Sequence, residues 1–160
     1  MELSSISLLP STKEDLLAFY EFQLDPEANF MAAFTAKDSF NKSAYIEKYS
    51  NFLFEPSIRM CTIRLNEIIV GSISKFVMFD ENEITYWIDK SFWGKGIATV
   101  ALREFLKVEL SRPIYGRTAF DNLGSQKVLL SNGFEKIGTD KGFANGRGEE
   151  IEEFIYMLSK

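Results

Sequence analysis

The segment Phe92-Trp93-Gly94-Lys95-Gly96-Ile97-Ala98-Thr99 places two glycines between an apolar, strand-like run, Ile84 to Ile88, and a helical pattern that continues to about Leu110. In that pattern Ala98, Ala101, Leu102, Phe105, Leu106 and Leu110 fall at i, i+3, i+4, i+7, i+8 and i+12, the spacing of one apolar helix face. Glycine reaches backbone conformations closed to other residues and lets a ligand come close to the main chain. A helix N-terminus offers unpaired N–H groups and a partial positive charge of about half a unit. Together these make a phosphate site, although a plain turn capping a helix would use the same two glycines. A further strand pattern, Ile114 to Thr118, follows the helix, so strand, glycine turn, helix and strand predict a right-handed parallel crossover.

Around this unit the pattern predicts a mixed α/β (α+β) sheet flanked by helices, one domain over residues 1–160. Ile6, Leu8 and Leu9 read as a first strand. Ser11 with Glu14 reads as a capping box, opening a helix to about Leu24 that Asp25-Pro26-Glu27 breaks. Residues 26–41 read as loop with helical turns, and Ser43 to Phe54 as a helix. Met60 to Leu65, Ile68 to Phe79 and Glu83 to Ile88 read as hairpin-linked strands, with turns at Asn66-Glu67 and Asp80-Glu81-Asn82. Asp121 or Asn122 caps a helix from Leu123 to Ser131. Phe134 to Phe143 and Ile151 to Leu158 close a hairpin around Asn145-Gly146, with the acidic cluster Glu149, Glu150, Glu152 and Glu153 on its solvated edge.

Composition removes several chemistries. The 160 residues suit one core. There is no histidine, which excludes histidine triads, histidine zinc sites and a histidine base. The single cysteine, Cys61, excludes an internal disulfide and a thiolate metal cluster; it reads as core, no metal is expected, and a reducing, cytoplasmic setting is. No apolar run reaches the roughly 18 residues of a membrane helix, and Met1-Glu2-Leu3 lacks the regions of a signal peptide. A net charge of −5 disfavours nucleic acid as a partner and suits a cationic substrate. A monomer or homodimer is expected.

The glycine segment is no P-loop, because G-x-x-x-x-G-K-[ST] is absent. It departs from the dinucleotide fingerprint G-x-G-x-x-G, since Thr99 stands at the third glycine and the following strand carries Arg117 and Thr118 rather than an acid. Instead, Trp93 to Ala98 resembles motif A of the GNAT superfamily of acyl-CoA-dependent N-acyltransferases, [RQ]-x-x-G-x-[GA], with Gly96 and Ala98 matching and Trp93 in place of Arg or Gln. Tryptophan there is similar to the ribosomal-protein N-terminal acetyltransferase branch. Asn122-Leu123-Gly124-Ser125, Val128-Leu129 and Asn132-Gly133-Phe134 resemble that branch's N-x-x-S…V-L…x-G-F. Glu83-Ile84-Thr85-Tyr86-Trp87-Ile88 resembles its E-I-G-Y-W-I strand, with Thr85 for glycine. The likeness runs from about Cys61 to the C-terminus.

The resemblance implies a GNAT fold whose central parallel strands splay around acetyl-CoA. Its diphosphate would rest on a cradle from Gly94 to Thr99, on the amides of Lys95, Gly96, Ile97, Ala98 and Thr99, with Trp93 packing beside the cofactor. Its pantetheine would pair with Tyr86, Trp87 and Ile88 and touch Asn122, Ser125 and Val128. The Tyr86 amide would face the thioester carbonyl. Many relatives carry a tyrosine acid where this chain has Leu129, so Ser125 is expected to hydrogen-bond the leaving sulfur. Glu83, at the start of its strand, is the expected base, acting directly or through water. Asp25, Glu27, Asp38 and Tyr20 lie in the segment that forms the acceptor side in relatives. The acceptor implied is an amine, on a peptide N-terminus or a small molecule. With Leu129 unable to donate a proton, a CoA-binding module without turnover stands as the alternative.

Overall fold

A computed structural model describes residues 2–160. Seven strands form one sheet: β1 (Ile6–Pro10), β2 (Arg59–Leu65), β3 (Ile68–Met78), β4 (Glu81–Ile88), β5 (Ile114–Ala119), β6 (Glu135–Ala144) and β7 (Glu149–Leu158). Their order across the sheet is β1-β2-β3-β4-β5-β7-β6. Every neighbouring pair is antiparallel except β4 and β5, which run parallel. The helices are α1 (Asp15–Phe22), α2 (Pro26–Ala32), α3 (Lys42–Phe52), α4 (Ile97–Val108) and α5 (Leu123–Ser131). Helix α4 makes the crossover that joins the parallel pair.

Strand alternation divides the side chains between two layers. On one face Ile63, Val70, Ile73, Ile84 and Ile114 pack against Ile97, Leu102 and Phe105 of α4 and Leu129 of α5, with Tyr86 and Ile88 at the margin. On the other face lie Thr62, Glu83 and Arg117, toward α1 and α2. There Leu16 and Phe19 of α1 are buried.

Several expected boundaries shift, three of them with a clear physical reason. Helix α1 starts at Asp15, not in a Ser11–Glu14 capping box. Asp15 Oδ2 accepts from Thr12 N at 3.0 Å and from Thr62 Oγ1 at 2.7 Å, while Ser11 Oγ is drawn 2.8 Å from Thr62 Oγ1. The Asp25-Pro26 break proves to be the start of α2. Asp25 Oδ2 accepts from Ala28 N at 2.8 Å and proline occupies the first turn, a position that suits its missing N–H. Strand β4 begins at Glu81, because the turn is only Phe79-Asp80, both at positive φ (53° and 62°), with Met78 opposite Glu81. This is a two-residue hairpin loop of the kind usually filled by Asn-Gly.

The hairpin tip between β6 and β7 locks α2 to the start of α5. Gly146 N donates to Ala33 O at 2.8 Å and Asn145 Nδ2 to Thr35 O at 2.7 Å. Arg147 Nε donates to Phe30 O at 2.6 Å, and both its terminal nitrogens grip Asp121 at 2.8 and 3.0 Å. A Cβ on Gly146 would lie 2.4 Å from Asn29 O, so backbone contact itself demands glycine there. Gly146→Ala is expected to destabilise the chain by about 1–3 kcal/mol through overpacking, read by denaturant unfolding.

Arg147 holds the Asp121 carboxyl below the usual carboxylate range, chiefly by its hydrogen bonds. A depressed folded pKa contributes stability above the unfolded pKa of about 3.9 and loses it as pH falls through the folded value. Asp121→Asn should therefore flatten the fall in melting temperature on acidification below about pH 4, measured against the unsubstituted chain over a pH series.

Candidate functional site between the splayed parallel strands

Pairing between β4 and β5 runs only from Asn82↔Ile114 through Glu83↔Tyr115 to Ile84↔Gly116. Beyond that point the strands part. Asp89 N bonds Val70 O on the β3 side at 2.8 Å, so by the two-residue period Trp87 and Thr85 also address β3. The N–H and C=O groups of Tyr86 and Ile88 therefore face the gap toward β5. One of these four is already engaged: the Trp93 indole Nε1 donates to Ile88 O at 2.9 Å. Trp93 thus braces the turn while its own backbone leads into the glycines.

Gly94 and Gly96 both adopt left-handed φ, 74° and 80°. Gly96 is the N-cap of α4, and no side chain of the described residues caps that helix. The first intrahelical acceptor bond is Val100 N to Gly96 O, which leaves the N–H groups of Ile97, Ala98 and Thr99 without helical partners. Residues 93–96 are exposed and Ile97 turns its side chain into the core. A Cβ on Gly94 would meet nothing within 4 Å, so an open approach leads to these amides. Helices α2, α3 and α5 are instead capped by Asp25, Asn41 and Asn122.

The gap itself is a narrow cavity of about 50 Å³ lined by Ile84, Thr85, Tyr86, Gly116, Arg117, Ser125 and Leu129. Its lining comes from both faces of the sheet: Tyr86, Ser125 and Leu129 on the α4–α5 side, Thr85 and Arg117 on the other. A wider, open groove of about 530 Å³ lies along α3 beside Lys13, and none of its lining comes from the sheet. Gly116 has no room for a side chain, since a Cβ would lie 2.7 Å from Leu129 Cδ2. Leu129, 1% exposed, fills that space.

Asn122 caps α5 as the spacing predicts, its Oδ1 accepting from Ser125 N at 3.2 Å while its Nδ2 donates to Met31 O at 3.2 Å. This sets Ser125 in the first turn, with its Oγ 2.8 Å from the Tyr86 hydroxyl. Burial pushes the Tyr86 phenol well above its ordinary range, with the Ser125 hydrogen bond pulling the other way. Val128, one turn on, packs against the core. Trp87 lies on the opposite face with its indole Nε1 buried and unpartnered among the described residues.

Glu83 is not at a strand end. With β4 starting at Glu81 it sits inside the sheet, 2% exposed, its Oε1 3.3 Å from Arg117 Nε. Burial pushes its carboxyl above the usual range, and the Arg117 guanidinium pulls it part of the way back. Glu153 is likewise no solvated hairpin acid. β7 lies between β5 and β6, and Glu153 Oε1 is 3.1 Å from Arg117 Nη1, with Asp140 Oδ2 at 3.6 Å. Arg117 is the member of the site that sequence reasoning missed. Its signal was an arginine within a six-residue, otherwise largely apolar strand, where burial requires a carboxylate partner.

Of the three acids expected to face an acceptor, Asp25 and Glu27 are engaged by Lys90. Glu27 Oε2 lies 2.6 Å from Lys90 Nζ and Asp25 Oδ1 3.8 Å. The Tyr20 hydroxyl donates to Phe40 O at 2.7 Å. Asp38 joins neither contact; its carbonyl accepts from Asn41 N at 3.0 Å.

Comparison with known proteins agrees with this geometry. The chain is 25% identical over 158 residues to the uncharacterized N-acetyltransferase p20 of Bacillus licheniformis, covering 92% of this chain and 88% of that one. Among solved structures it superposes on Mycobacterium smegmatis RimJ in complex with CoA-disulfide, with a TM-score of 0.79, 20% identity, and 96% and 81% of the two chains covered. It also superposes on RimL, a ribosomal alpha-N-protein acetyltransferase, with a TM-score of 0.77, 17% identity, and 98% and 91% covered. Residues 6–135 match the acetyltransferase (GNAT) domain. A splayed parallel pair, a crossover helix opened by left-handed glycines and that match agree: the chain belongs to the GNAT acetyltransferase family.

Proposed function

We propose that this chain transfers the acetyl group of acetyl-CoA to a primary amine, on a peptide N-terminus or a small molecule, by direct attack of the nitrogen. The observation that carries the reading is the gap between β4 and β5 opening beside an uncapped helix N-terminus. Acetyl-CoA supplies the activated acyl carbon and a thiolate leaving group. The amides from Gly94 to Thr99 hold its diphosphate, and the backbone of Tyr86 and Ile88 lines its pantetheine arm, as an extended ligand adds to an open strand edge. The Tyr86 N–H stabilises charge that develops on the carbonyl oxygen. Asn122 and Val128 flank the arm, and Ser125 Oγ donates to the departing sulfur.

In this reading Glu83 is the base. Its carboxylate is enclosed behind Arg117, so it takes the amine proton through water rather than by contact. The modest machinery suits an amine of low pKa. An α-amine, near 8, is about a tenth neutral at pH 7, whereas a lysine, near 10.4, is under a thousandth neutral. Leu129 in place of a hydroxyl favours one other reading, a CoA-binding module without turnover. Thiol release in the presence of ε-blocked peptides separates the two.

Calorimetry with CoA is expected to show binding. Pantetheine, which lacks the diphosphate, should bind on the order of 100-fold more weakly, since each charge-assisted hydrogen bond contributes about 1.5–3 kcal/mol. Equal affinities would remove the phosphate role of residues 94–99, and no heat at millimolar CoA would remove the whole reading.

A base works ionised, so activity should fall as pH drops through the Glu83 pKa. Burial places that limb above the ordinary value of about 4.3. Glu83→Gln should lower kcat by about 10²–10⁴-fold and abolish the limb in a kcat–pH profile. A retained limb would assign it to another group.

A further inference from the structure

Among the residues lining the cavity, the hydroxyls belong to Thr85, Tyr86 and Ser125, and only the last two share the α4–α5 face. Ser125 has one hydroxyl hydrogen and two places to send it. The Tyr86 hydroxyl lies 2.8 Å from Ser125 Oγ and 3.1 Å from Ser125 O. In one arrangement Tyr86 donates to the carbonyl and Ser125 donates back to the phenol, which turns only serine lone pairs toward the cavity. In the other, Tyr86 donates to Ser125 Oγ and the serine hydrogen is free to enter the cavity. A sulfur anion accepts only from the second.

We infer that the Tyr86 side chain is a positioning residue whose O–H donates to Ser125 Oγ and thereby aims the serine hydrogen at the CoA sulfur. This rests on the CoA reading above and adds a role for the phenol distinct from that of the Tyr86 amide. No proton leaves either hydroxyl. As the N–C bond forms and the C–S bond breaks, the electron pair stays on sulfur, and the serine hydrogen stabilises it there. Burial keeps the phenol protonated, so it remains a donor throughout. Leu129 closes the same pocket from α5 without offering a hydrogen, which leaves Ser125 of α5, oriented by Tyr86 from β4, to supply it.

The test reads the thiol itself and needs no acceptor. Bound CoA is titrated by the ultraviolet absorbance of its thiolate, with the desulfo-CoA complex subtracted to cancel protein tyrosines. The bound thiol should titrate about one unit below the free value near 8.5, the size expected of one good hydrogen bond. Tyr86→Phe, which keeps the ring, should return it toward the free value. Ser125→Ala should do so at least as far, and the double variant no further than Ser125→Ala alone, because the two act as one unit. A ring-fluorinated tyrosine at position 86, a stronger donor of the same shape, should move the thiol further down. Melting temperature and calorimetric CoA affinity are followed for each variant. If Tyr86→Phe does not fold, the fluorinated chain decides alone. CoA that binds with a thiol unmoved by these changes, or effects of the two substitutions that simply add, overturns the role of Tyr86 while leaving the CoA reading intact. A chain that does not bind CoA at all overturns both.

Discussion

The parallel ladder between β4 and β5 stops after three residue pairs, and the rest of the site follows from that stop. A continuous ladder would bury the polar groups of Tyr86 and Ile88 in hydrogen bonds to β5. Its end leaves them facing a gap that runs through the sheet. One of these groups, Ile88 O, is taken by the Trp93 indole instead of a β5 donor. Gly116, at the last paired position, carries no side chain and so admits Leu129. The wedge of α5 against β5 and the parting of the strands are thus parts of one packing arrangement.

Around the gap the two faces of the sheet have different chemistry. On the α4–α5 side two hydroxyls and an apolar wall adjoin the helix that opens with Gly94 and Gly96. On the α1–α2 side one guanidinium serves three carboxylates, Glu83, Glu153 and Asp140. The proposed reaction, in which a thiolate leaves on one side and an amine arrives on the other, is consistent with this division. The β6–β7 tip holds the two walls together: Arg147 spans Asp121, just ahead of the Asn122 cap, and the carbonyl of Phe30 at the end of α2.

Elements with strong periodicity were legible from the sequence. All seven strands, the crossover helix and the Asn122-capped helix are present in the predicted order, with ends displaced by a residue or two, because alternation and helical spacing report burial directly. Failures fell where a distant partner set the boundary. Ser11 did not cap α1 because Thr62, across the sheet, takes its hydroxyl. Phe79-Asp80 took the turn that the polar Asp80-Glu81-Asn82 suggested, because the pairing of Met78 with Glu81 left only two residues to close it. Local sequence places Glu153 on a solvated edge and Glu83 at the start of its strand because it says nothing about strand order, and it is order that puts β7 inside the sheet and Glu83 against Arg117.

The amino-acid sequence by itself determined the strand–glycine–helix unit, the absence of histidine chemistry and the likeness to acyl-CoA-dependent transferases, since these depend on residue type and short spacing. Only the tertiary structure decided where the parallel ladder ends, which hydroxyl meets Ser125, and which acids share Arg117. Each of those is a contact between segments dozens of residues apart. Its geometry is settled by how strands stack and side chains fill the space between them, which no local pattern encodes.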